Sequence, residues 1–69
     1  MTPETLRSLL TRLDLSQVGA SRLFGVTDRT FRRWMDGEWP VPNAVALSLR
    51  LMLLFDVSTE DAEKIISKP

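Results

Sequence analysis

The stretch Ser16-Gln17-Val18-Gly19-Ala20-Ser21-Arg22-Leu23-Phe24-Gly25-Val26-Thr27-Asp28-Arg29-Thr30-Phe31-Arg32-Arg33-Trp34-Met35-Asp36-Gly37 decides how the chain reads. Ser16 is an N-cap type and opens a helix expected over Gln17 to Phe24. Gly25 follows, where a residue of positive φ is expected to end it. Thr27 then caps a second helix, Asp28 to about Met35, whose first residue is an acid suited to the helix dipole. Two short helices joined by Phe24-Gly25-Val26-Thr27 have the connection a helix-turn-helix requires. Gly19 costs about 1 kcal/mol against alanine inside a helix, so it is expected where a side chain would obstruct something. Ala20-Ser21 offer the small side chains that a close helix crossing needs. In the second helix Phe31, Trp34 and Met35 stand at i, i+3 and i+4, which turns Phe31 and Trp34 inward. At about 100° per residue, Asp28, Arg29, Arg32 and Arg33 then share one outward polar face. Such a helix can enter a major groove about 12 Å wide and bring guanidinium groups to base edges.

The flanks read as helix as well. Thr2-Pro3-Glu4 combines an N-cap, a first-position proline and an acid in the first turn. Leu6, Leu9, Leu10 and Leu13 continue it as the stripe of an amphipathic helix, which Asp14-Leu15-Ser16 interrupts. Glu38-Trp39-Pro40-Val41 is a loop, because Pro40 and Pro42 each disfavour helix in the residue before them. Trp39, beside two prolines, is expected to fold over the core in preference to reaching a sugar-phosphate backbone. Pro42 starts a fourth helix reaching Phe55; it is apolar nearly all round and is expected to be the central element of the core. Ser58-Thr59-Glu60-Asp61 caps a short fifth helix, with Ala62, Ile65 and Ile66 facing inward. No hairpin signal, repeat or low-complexity segment interrupts this pattern, so the chain is expected to be a single all-α domain, residues 1–69, of five helices.

Composition narrows the function. The 69 residues contain no histidine and no cysteine. That excludes disulfides, thiolate nucleophiles, Cys/His zinc sites and imidazole acid–base chemistry. Six serines have no histidine to activate them, and helix capping explains Glu60 and Glu63 better than a metal does, so no catalysis, metal or cofactor is expected. No basic-then-apolar leader is evident, and the twelve-residue apolar run Ala44 to Phe55 is shorter than the roughly twenty residues of a bilayer span. The expectation is a cytoplasmic, nucleoid-associated protein with no membrane and no small-molecule ligand. Nine basic and nine acidic residues leave zero net charge, but unevenly placed. Residues 21–35 set Arg22, Arg29, Arg32 and Arg33 against Asp28 alone, a local +3, while residues 36–69 carry −3. Arginine suits phosphate oxygens and guanine edges. The pI of 6.1 does not fit a sequence-blind nucleic-acid binder.

Leu15-Ser16-Gln17, Ala20-Ser21, Gly25-Val26-Thr27, Phe31, Arg33-Trp34, Gly37 and Pro40 together resemble the lambda-repressor-like, Cro/repressor-type (XRE-like) helix-turn-helix domain. The resemblance is specific over residues 15–37, and the five-helix layout extends it along the chain. It departs from the family pattern at Gly19, Ala20 and Met35. It implies a compact five-helix bundle with a helix-turn-helix core at 16–36 and a transcriptional regulator of bacterial or phage type that reads double-stranded operator DNA. By position it implies base reading by Asp28, Arg29 and Arg32, and phosphate contacts by Gln17, Thr27, Thr30 and Arg33. Arg22, on the supporting helix, is a further phosphate candidate. The acidic C-terminal third must then point away from the duplex.

Helix 4 carries more apolar residues than one small core can use, and a surplus apolar face usually marks an interface. DNA readers of this kind bind as two-fold dimers with half-sites one helical turn, about 34 Å, apart. A homodimer through residues 42–67 is therefore expected. The neutral charge and the same apolar helix also fit an alternative, a protein–protein adaptor or antitoxin-like module that keeps the fold without reading DNA.

Overall fold

A computed structural model describes residues 1–68. Among them five helices follow in order, with no strand: α1 Pro3–Arg12, α2 Gln17–Leu23, α3 Asp28–Met35, α4 Asn43–Leu54 and α5 Thr59–Ser67. The fold is all-α, as its periodicity implies. Some ends differ by a residue from the sequence reading, among them that of α4, where Phe55 is the C-cap rather than the last helical residue. Phe24 is the C-cap of α2 rather than its last turn, and Pro42 is the N-cap of α4 rather than its first residue.

The helix starts are fixed by side chains. Thr2, Ser16, Thr27 and Ser58 each accept a hydrogen bond from the backbone N–H three residues on, at 3.1, 3.0, 3.1 and 3.0 Å. Each such cap is worth about 1 kcal/mol against alanine. Only α4 begins without one, because its cap residue is a proline.

The helix ends repeat a single device. Asp14, Gly25, Gly37 and Asp56 have left-handed φ values of 52°, 67°, 77° and 53°, and each directly follows the C-cap of α1 to α4 in turn. The next residue then donates back across the turn: Leu15 to Leu10 O, Val26 to Ser21 O, Glu38 to Arg33 O and Val57 to Met52 O, at 2.8 to 3.0 Å. These are Schellman closures, which satisfy the last carbonyls of a helix and turn the chain sharply. The connections are short because the sequence supplies a left-handed residue at each.

The core joins Leu6, Leu9 and Leu10 of α1, Leu15, Ala20 and Leu23, Phe31 and Trp34 of α3, Val41, and Val45, Leu49 and Met52 of α4. The two rings meet edge to face, with centroids 5.4 Å apart at 64°. α1 packs on both α3 and α4, α2 packs on α3, and α5 leans on α2. Gly19 has the predicted tight surroundings: a Cβ there would come within 3.1 Å of both Leu15 Cδ1 and Ser16 Oγ.

Three expectations fail here. α4 buries only one stripe, Val45, Leu49 and Met52, and leaves Leu47, Leu51 and Leu54 exposed, so it borders the core instead of lying at its centre. α5 buries none of its residues: Ile65 and Ile66 are 61% and 63% exposed, and Ala62 alone of the three is packed against the core. Helical spacing shows which side chains share a face, and not whether another element covers that face. Trp39 lies outside the core and is 47% exposed. Its ring is instead taken by Arg33.

Candidate nucleic-acid interface

α3 is held from three sides, and its free side is the arginine face. Behind it, Phe31 and Trp34 are buried. At its start, the Ser21 hydroxyl of α2 donates to the Asp28 carboxylate, tying the first residue of α3 to the helix it crosses. At its end, Arg7 of α1 donates through Nη2 to the Met35 carbonyl at 3.1 Å and lies 3.6 Å from the Asp36 carboxylate. A cation at a helix C-terminus satisfies an otherwise unpaired carbonyl and favours the dipole. The helix angle is thereby set from both neighbours.

α2 packs on α3, and its small residues Ala20 and Ser21 are both buried. Ser21 Oγ also lies 2.8 Å from Val18 O, so one hydroxyl hydrogen serves an acceptor on its own helix and another on the next. Sequence reading found the small residue at the crossing but not the bond. A serine seven residues before an aspartate at the start of the next helix is the signal for it.

The expected site residues fall into two groups. Arg29 and Arg32 are exposed, side by side on α3, and pair with no carboxylate among the described residues; Arg22 on α2 is likewise exposed and unpaired. Asp28 is exposed as a residue but has one oxygen engaged by Ser21. Arg33 is engaged too: Nη1 stands 3.3 Å from Glu38 Oε2, and its guanidinium carbon lies 4.5 Å from the centroid of the Trp39 ring. Arg29, Arg32 and Arg33 line one open cleft with Asp36 and Glu38.

Around this face, Thr27 donates to Thr30 Oγ1 at 3.0 Å while accepting the Thr30 N–H. The Thr30 hydroxyl hydrogen therefore remains available to an outside acceptor. Gln17, the first residue of α2, is half-buried and shares a cleft with Arg7, Asp14 and Met35, beside the end of α3. Gln17, Arg22, Asp28, Arg29, Thr30, Arg32 and Arg33 thus come from two helices whose mutual geometry is fixed by one crossing.

Sequence reading did not anticipate Arg7 as the brace of α3, nor Glu38 and Trp39 as partners of Arg33. The Glu38 contact was available in principle. Once Gly37 is a left-handed residue, position 38 returns to the last turn of α3 and faces residue 33.

A second surface is apolar. Leu23 of α2 and its C-cap Phe24, Leu51, Met52 and Phe55, and Ile65 and Ile66 line an open groove of about 410 Å³ between α2, α4 and α5. Leu54 and Phe55 are 75% and 68% exposed. Among the described residues, no helix is long and apolar enough to cross a membrane.

No family model, curated protein or solved structure matches this chain.

Proposed function

We propose that the chain is a sequence-specific double-stranded DNA-binding regulator, with α2 and α3 acting as a helix-turn-helix and α3 entering the major groove. The observation that carries this reading is the pairing of opposites on α3: Phe31 and Trp34 buried behind, Arg29 and Arg32 exposed and unpaired in front. Eight helical residues span about 12 Å, the width of the groove. Unpaired guanidinium groups at that width suit bidentate contacts to guanine O6 and N7. The lambda-repressor-like resemblance of residues 15–37 supports the same assignment.

In this reading Arg29, Arg32 and the outer oxygen of Asp28 face base edges. Gln17, Arg22, Thr27, Thr30 and Arg33 meet phosphates and set register. Zero net charge keeps sequence-blind affinity low, so discrimination rests on the base contacts. Two copies join through α4 and α5, whose exposed leucines and isoleucines provide the apolar area, and present α3 to successive half-sites. Selection of bound duplexes from a random pool tests all of this together. A palindromic consensus with half-sites about one helical turn apart is the expected outcome; a pool that never enriches contradicts it.

The adaptor reading draws on one specific observation, the apolar groove of α2, α4 and α5. A mobility-shift assay in low salt separates the two readings. Counterion release favours any DNA reader under those conditions, so complete absence of a shift favours the adaptor.

A further inference from the structure

Four helix ends share one closure, and one of the four is built differently. In this motif the residue after the left-handed position normally makes an apolar contact with the last turn of its own helix. Leu15 opposite Leu10 follows that pattern and is buried, and Val26 and Val57 at the equivalent places are half-buried and packed on the core. At the end of α3 the residue is Glu38, and the residue it returns to is Arg33. An ion pair at 3.3 Å stands where the other three helices place an apolar side chain. The exception falls on the helix with the arginine face.

The pair has a particular shape. The Arg33 guanidinium lies against the Trp39 ring at 4.5 Å and points Nη1 at Glu38 Oε2. Ring stacking leaves the edge N–H donors of a guanidinium free to bind a planar or tetrahedral oxyanion. A carboxylate and a phosphodiester both offer paired oxygens to such an edge. Arg29 and Arg32 line the same cleft and have no carboxylate partner. Of the three arginines of α3, one is thus neutralised by its own chain.

We infer that Glu38 occupies, in the free protein, the place a DNA phosphate takes at Arg33, and so acts as a built-in competitor that lowers the sequence-independent part of DNA affinity. This rests on the DNA-binding reading of α3. The pair contributes no net charge, so Arg33 releases no counterion until Glu38 is displaced; Trp39 keeps the guanidinium in place during the exchange. Both Arg33 and Glu38 are partly solvent-exposed, with side chains 30% and 57% accessible, so the pair is weak enough to be exchanged.

The test is fluorescence anisotropy of a labelled mixed-sequence 20-base-pair duplex titrated with the full chain between 50 and 200 mM KCl. Glu38→Gln is expected to bind roughly three- to sixfold more tightly at the lowest salt. Its plot of log affinity against log salt should keep nearly the slope of the unaltered chain, because Arg33 meets a phosphate in both complexes once Glu38 is displaced. Glu63→Gln removes the same charge from α5, at a residue that does not line the apolar groove, and is expected to stay within roughly twofold of the unaltered chain. Arg33→Ala should abolish the gain from Glu38→Gln. Glu38→Leu, which restores the apolar pattern of the other closures, guards against misfolding and should tighten binding similarly. If the unaltered chain binds but Glu38→Gln matches Glu63→Gln, or the gain survives Arg33→Ala, the competitor role is overturned while the DNA reading stands. If no variant binds duplex at 50 mM, the DNA reading falls and takes this role with it.

Discussion

The Ser21 hydroxyl donates to the Asp28 carboxylate and joins α2 to the first residue of α3, at a serine only 1% exposed. This bond fixes the start of the arginine-bearing helix against its support. It also commits one oxygen of a residue that the family resemblance places among the base readers, so Asp28 helps to orient α3 while remaining exposed as a residue.

The crossing should be sensitive to volume more than to polarity. Ser21→Val adds bulk where α2 meets α3 and is expected to cost about 1–3 kcal/mol. Ser21→Ala removes one shared hydrogen bond and is expected to cost about 0.5–1.5 kcal/mol, since Asp28 is exposed and can be rehydrated. Urea denaturation at constant m-value measures both, and a valine variant as stable as the alanine variant would show that the crossing has room.

The left-handed helix ends make a graded set. Gly25 at φ 67° has nothing within 4 Å of where a Cβ would be, whereas at Gly37 (φ 77°) a Cβ would come 3.0 Å from Pro3 Cγ. Gly25→Ala is expected to cost about 1 kcal/mol from backbone conformation alone, and Gly37→Ala more. Asp14→Gly and Asp56→Gly relax the same strain and should each gain a few tenths to about 1 kcal/mol. In a domain of this size about 1 kcal/mol moves the thermal midpoint by roughly 4–8 °C, so melting curves resolve the order.

These helix ends also show where sequence reading succeeds. Thr2, Ser16, Thr27 and Ser58 announce their caps by residue type, and Gly25 announces its turn, because capping and left-handed φ are decided within a few residues. Asp14 and Asp56 are less legible, since aspartate tolerates the left-handed region without demanding it. Burial is harder still. Ile65 and Ile66 share the face of Ala62 by spacing, yet whether that face is covered depends on long-range packing that spacing does not report. Trp39, beside two prolines, read as core; its partner is the guanidinium of Arg33, whose position depends on the closure at Gly37. The arginine face itself was legible, because the positions of Phe31 and Trp34 determine its direction. The Arg33–Glu38 ion pair becomes legible only once Gly37 is placed in the left-handed region.

Base and phosphate contacts should separate by specificity. Arg29→Ala and Arg32→Ala are each expected to cost about 1–3 kcal/mol on a selected operator and to relax preference at one base pair. Arg22→Ala should weaken all duplexes alike and lower the salt slope by about 0.9. Competition binding against single-base variants of the operator distinguishes the two patterns. Equal losses on every sequence for Arg29 and Arg32 would reassign them to phosphates.

The apolar face predicts an oligomer. Leu51 and Ile66 line the exposed groove, so Leu51→Glu or Ile66→Glu should leave the helical content intact and convert a dimer to a monomer. Sedimentation equilibrium reads the mass directly. An unaltered chain that remains monomeric at high concentration, both alone and on DNA, would contradict the dimer.

The most direct measurement is an amide ¹⁵N–¹H correlation spectrum of the full chain, recorded as a selected duplex is added. The expected result is that shifts concentrate in residues 16–39, strongest at Arg29 and Arg32, with smaller changes confined to the proposed subunit contact on α4 and α5. Shifts centred on α4 and α5 with α3 undisturbed, or no shifts at low salt, would contradict the assignment of α3 as the element that meets DNA.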